Sequence, residues 1–154
     1  MKNLKIIFTL SLLVFTFACS PSDEEIDNSP ISIYDRIEAS PSYSILNYAL
    51  QKTGLSTILD GDEKYTLFAP SDMVMTRFLN DNGFSSIDSV PTELLKNILL
   101  NHVVAEQIRY STFKTGYKKS AAVSEVNGQP LSIHIEQINM RVTINGESRI
   151  TRGN

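Results

Sequence analysis

One cysteine stands in 154 residues, so neither an intrachain disulfide nor a thiolate metal cage can form. Two histidines leave little room for a histidine-rich metal centre. There is no Gly-x-Ser-x-Gly elbow, no phosphate-binding glycine loop and no His-Glu-x-x-His pair. The basic excess that holds nucleic-acid phosphates is also missing, since 14 Lys and Arg face 17 Asp and Glu for a net charge of −3. After residue 18 no apolar run is long enough to cross the ~30 Å hydrocarbon layer of a membrane. The length excludes a multidomain enzyme or a channel of many spans. What the chain does have is 42% apolar residues, enough for one core and incompatible with full disorder.

The N-terminus is built like an export signal. Met1 to Lys5 is a short basic start, and Ile6 to Ala18 is apolar apart from Thr and Ser. Residues 1–18 read as a signal peptide, because that run is shorter than the ~20 residues a spanning helix needs. Cys19 follows directly and resembles the modified cysteine of a bacterial lipoprotein. Ala18 fits the lipobox, whereas Thr16 stands where that box usually has Leu. Cleavage after Ala18 that leaves a free thiol is the plainer alternative. Removal of Lys2 and Lys5 with the leader takes the net charge from −3 to −5. Residues 19–30 are then a lipidated Cys and a flexible acidic tether, spanning ~20 Å on average. Its acidic residues resemble the surface-export signal of lipoproteins in the Bacteroidetes group, and a plain solvated linker accounts for them equally well.

The body, residues 31–154, changes period midway. Ser42 to Thr53 places Ile45, Leu46, Ala49 and Leu50 on one helical stripe, stopped at Gly54 with Leu55 folding back. Residues 60–63 read as a turn. Tyr65 to Ala69 is a short strand expected to be buried on both faces and ended by Pro70. Ser71 is an N-cap for a helix to about Asn80 that buries Val74, Met75, Phe78 and Leu79. Pro91 opens another helix, with Leu94, Leu95, Ile98 and Leu99 on its stripe. Strands are expected over Ala121–Val126, Leu131–Glu136 and Met140–Ile144, with Asn127-Gly128 and Asn145-Gly146 as hairpin signals. Helices first and hairpins second imply an α+β class.

Two segments carry a family resemblance. Thr66-Leu67-Phe68-Ala69-Pro70-Ser71-Asp72 resembles the Thr-Leu/Val-Phe-Ala-Pro-Thr/Ser-Asn/Asp block of fasciclin domains. Asn101-His102-Val103-Val104 resembles their second motif, where a His and two valines leave a long helix. The resemblance covers residues 31–154 and implies a fasciclin-like fold, with helices packed on a mainly antiparallel β wedge or sandwich. It implies mainly structural roles for both motifs: strand residues filling the centre, a Pro-Ser-Asp step capping the next helix, and an imidazole bonding a freed carbonyl. In animal members, residues around the Tyr-His step have been implicated in binding cell-surface receptors. Asn101 replaces that Tyr, so the structural role alone is carried over. The family usually closes with a further strand of the type Asn-Gly-Val-Ile-His, and the sequence stops at Asn154 before it. The domain is therefore expected to be C-terminally incomplete, with an unpaired edge and an uncovered apolar face. An oligomer is expected only if another chain supplies the strand in trans.

The remaining candidates are polar. Ser132, His134 and Glu136 share a strand face, but residues two apart stand in a diverging row, so a solvated face is expected. Asp60, Asp62 and Glu63 lack the ligand count of an EF-hand loop, and no metal or cofactor is expected. Lys114, Tyr117, Lys118 and Lys119 read as a basic, aromatic-containing loop, by default a solvated one, and otherwise able to grip an acidic glycan or a phosphate headgroup. The leader, Cys19 and the acidic tether point to an envelope lipoprotein anchored at the outer membrane, and the fasciclin resemblance implies a non-enzymatic role in contact with a surface protein, matrix or glycan and no nucleic acid. The alternative is a glycan-binding accessory of a carbohydrate-uptake system.

Overall fold

The computed structural model describes residues 31–61, 63–139 and 141–151. The leader, Cys19 and the tether lie outside the described residues. Five α-helices are found among the described residues, α1 (Ile33–Glu38), α2 (Ser44–Thr53), α3 (Leu55–Leu59), α4 (Asp72–Asp81) and α5 (Thr92–Leu100), with short 3-10 turns at Pro41–Tyr43, Ile87–Ser89 and Tyr110–Thr112. Six strands accompany them: β1 (Thr66–Leu67), β2 (Val103–Val104), β3 (Gly116–Val123), β4 (Pro130–Ile138), β5 (Arg141–Ile144) and β6 (Ser148–Arg149). They form one sheet in the order β1-β2-β3-β4-β5-β6, antiparallel throughout, which is the expected α+β class.

Helix α2 is the hub and touches α1, α3, α4 and α5. Its stripe is the predicted one, with Leu46, Ala49 and Leu50 wholly buried. Each such leucine stabilises the fold by roughly 1.5–3 kcal/mol through lost water contact. Gly54 ends α2 at φ 72, a left-handed conformation that costs glycine little. Leu55 does fold back, and it also starts α3, which is too short for its period to be visible in the sequence.

The second core lies under the sheet. Ile133 and Ile135 of β4 and Val142 of β5 point inward, and Phe113, Ile108 and Ile150 close over them. Val123, Leu131 and Ile138 of β3 and β4 stay 52%, 39% and 57% exposed. The sheet's edges are β1 and β6, each two residues long, and such short edges offer little template for pairing. Asn145 and Gly146 both take positive φ, 52 and 74, and join β5 to β6 as a tight turn. At Asn127-Gly128 the turn is wider, since only Gly128 has positive φ and Ser124 N–H donates to Gln129 O at 2.8 Å.

Several expectations are corrected. Strand β1 is two residues long and half-buried rather than buried on both faces, because it is an edge strand with one neighbour. Its flanks do feed both cores: Tyr65, Leu67 and Ala69 pack on the helical cluster and Phe68 on the sheet cluster. Val74 and Leu94 are 53% and 45% exposed, so the buried stripes of α4 and α5 narrow to Met75, Leu79, Leu95 and Leu99. Pro91 precedes the first turn of α5 as its cap residue. The strand expected from Ala121 begins five residues earlier, at Gly116.

Candidate functional site

The two motif segments are brought together as an antiparallel pair. Thr66 lies opposite Val104 and Leu67 opposite Val103, and Phe68 N–H donates to His102 O at 2.9 Å. The Thr66 hydroxyl donates to Glu106 O at 2.6 Å and accepts from Ile108 N–H at 2.8 Å. A valine of the same shape would satisfy neither group. Val103 and Val104 are 3% and 2% exposed, one in each core. His102 acts as expected: Nδ1–H donates to Ile98 O at 2.8 Å, one of the carbonyls freed at the end of α5. Asn101 caps α5, and its enclosed Oδ1 has no hydrogen-bond partner among the described residues.

The Pro-Ser-Asp step works differently from the expectation. Ser71 has the backbone of a cap residue, but its side chain makes no capping bond to α4. Asp72 instead reaches across to α2. One oxygen accepts from Ser44 N–H at 3.2 Å and from the Ser44 hydroxyl at 2.6 Å, and the other accepts from Ile45 N–H at 2.9 Å. Asp72 therefore serves two helix N-termini, as the first residue of α4 and as the acceptor for α2. A contact spanning 28 residues leaves no local sequence signal, so this role is visible only in the fold.

Pro70 and His102 also meet at one surface. Helices α4 and α5 both pack on α2, and an apolar groove of about 210 Å³ remains between them. Pro70, Val74 and Phe78 line one side, and Leu95, Ile98 and His102 the other. Val74 was expected in the core and lies instead on this rim, half exposed.

The predicted basic loop is split by the strand. Tyr117, Lys118 and Lys119 belong to β3, and Lys114 precedes it. Alternation turns Tyr117 and Lys119 outward, while Lys118 points to the other face and pairs with Glu106 at 2.7 Å. Tyr117 meets His134 of β4, ring centroids 4.7 Å apart. Asp60 accepts from the Ser32 hydroxyl at 2.8 Å and Glu63 from the Tyr65 hydroxyl at 2.7 Å, and Asp62 lies outside the described residues. The Tyr65 bond to Glu63, with slight burial, pushes the phenol above its usual value near 10.0.

Helices packed beside a meandering antiparallel sheet, with two paired motif segments opening on an apolar groove, define an α+β domain whose candidate sites among the described residues are surface features. The fasciclin domain matches residues 41–154, and the chain belongs to that family. Fasciclin-like arabinogalactan protein 3 of Arabidopsis thaliana is 30% identical over 96 residues, covering 62% of this chain and 31% of that protein. Among solved structures, a FAS1 domain pair from the insect cell adhesion molecule fasciclin I matches with a TM-score of 0.56 at 15% identity. That match covers 73% of this chain and 40% of the other, and bears on the fold alone. The chain thus spans about a third of the plant relative's length. No helix among the described residues is long and apolar enough to cross a membrane.

Proposed function

We propose that the chain is a non-enzymatic adhesion or protein-binding module held at the bacterial envelope by a lipid on Cys19, with the α4–α5 groove as its contact surface. The observation that supports this is the groove itself, where both motif segments contribute a residue and nearly every wall is apolar. Such a surface suits an apolar side chain of a protein partner and offers little to a sugar hydroxyl. A structural relative in this family is described as a cell adhesion molecule, which is the same class of role. Proteins of the family work outside the cell or at its surface, and the export signal and tether are consistent with that.

Cells displaying the full chain are expected to adhere to a matrix-protein coat about tenfold better than cells displaying Val74→Glu, which puts a charge on the groove wall. Met73→Glu, next to it but off the groove and 82% exposed, is expected to change nothing. Equal adhesion by Val74→Glu would defeat the groove assignment. The anchor is tested separately: radiolabelled palmitate is expected to label the full chain expressed in a bacterium, and Cys19→Ser is expected to lose the label and leave the membrane fraction. An unlabelled parent chain would remove the lipid from the proposal.

A further inference from the structure

We infer that the outer face of β3–β6 is a second binding surface, built for an acidic polysaccharide of the uronate kind. It stands independently of the groove. Strand register places the residues. Tyr117 lies opposite His134, Glu136 opposite Thr143, and Thr143 opposite Arg149. Directly opposed residues share a face, as do residues two apart, so Lys119 and Arg141 join the same side. This face therefore presents Lys119, Arg141 and Arg149, all exposed, around Tyr117, His134 and Glu136. It spans about 20 Å along the strands.

Charge is the first argument for the occupant. The chain is net −3, yet this face carries three cations against one carboxylate. None of the three takes part in the ion pairs found among the described residues, in which Lys52 and Lys118 are the cations. The second argument is Tyr117, 76% exposed and propped against His134. A ring held this way offers an apolar plate with a polar tip, and the C–H face of a pyranose packs on such a plate. The third is Glu136, which accepts from the Thr143 hydroxyl at 3.4 Å and lines a shallow depression with Arg141. A carboxylate among the cations repels a dense polyanion, with a phosphate at every ~3.4 Å of strand. It accepts hydroxyl donors readily, so a chain of hydroxyl-rich sugars with intermittent carboxylates fits the face and a nucleic acid does not.

The test is binding of the full chain to immobilised polygalacturonate at low ionic strength, with dextran and oligothymidylate as comparison ligands. Retention on polygalacturonate alone, weakening as salt rises, is expected. The double variant Arg141→Gln, Arg149→Gln is expected to lose about tenfold in affinity. Tyr117→Ala is expected to lose about fivefold. Lys118→Ala, on the opposite face, is expected to stay within about twofold of the parent. Val74→Glu is expected to bind as the parent does, which keeps this surface distinct from the groove. Failure to bind polygalacturonate, equal retention on dextran, equal affinity for oligothymidylate, or an unaffected double variant would each overturn the inference.

Discussion

Asp72→Ala is expected to lower the unfolding free energy by about 2–3 kcal/mol, measured by urea denaturation with an unchanged m value. Removing an N-cap acceptor costs about 0.5–2 kcal/mol, and hydrogen bonds to an ionised acceptor lie at the upper end of the range. Here one carboxylate accepts two backbone N–H groups and a hydroxyl at the start of α2. It also lies in the first turn of α4, where negative charge opposes the positive end of the helix dipole. Alanine removes all of these at once and frees α4 from the helix that organises the core. A melting temperature about 10 °C lower is expected with it. Asp72→Asn keeps an uncharged acceptor and is expected to lose roughly half as much. A cost below about 0.5 kcal/mol for Asp72→Ala, typical of an unremarkable surface position, would contradict the double-cap role.

That aspartate marks the border between what the sequence discloses and what it conceals. The helix stripe of α2, its glycine stop, the inward Ile133 and Ile135 and the pairings of β3 with β4 and β5 with β6 all follow from local period and turn chemistry, and the structure has them. The motif block was legible as a unit, and so was the bond from His102 to a freed carbonyl. The partner of Asp72 was not, because the bond it makes crosses the chain. Helices α1 and α3 were missed for another reason: six and five residues are too few to show a helical period. Tyr117, Lys118 and Lys119 looked like a loop because polar residues outnumber apolar ones there. In the fold Lys118 occupies an inward position and satisfies its charge on Glu106, so its type hides the alternation. Val74 and Leu94 show the reverse error, apolar residues on a helical stripe that is wider than the neighbour covering it. One of those two, Val74, is also the residue that brings the groove to the surface.

Lys52→Met is expected to cost about 2–3 kcal/mol, and the comparison that gives this meaning is with Asp88→Asn. At first sight Lys52 is half of a surface ion pair, its Nζ 4.0 Å from Asp88 Oδ1. A pair of that kind is worth about 0–1 kcal/mol. The ammonium, however, donates to three backbone carbonyls, Ile87 O at 2.9 Å, Asp88 O at 3.1 Å and Val90 O at 3.2 Å. Its three donors match three acceptors clustered where the short helical turn at 87–89 ends, those of Ile87 and Val90 partly buried. Ile87 and Val90 are 5% and 1% exposed and belong to the helical core, so the carbonyls held by Lys52 fix how this turn seats against α2. Methionine keeps the stem and its packing but takes the ammonium donor from all three carbonyls, of which, among the described residues, Ile87 O alone keeps a second donor, Val90 N–H at 3.2 Å. Asp88→Asn removes only the charge and still offers an acceptor to the Tyr48 hydroxyl, which donates to Asp88 at 2.7 Å. It is expected to cost less than about 1 kcal/mol. If the two variants lose equal stability and both losses vanish in molar salt, the lysine acts through the ion pair and the carbonyl clamp is not its role.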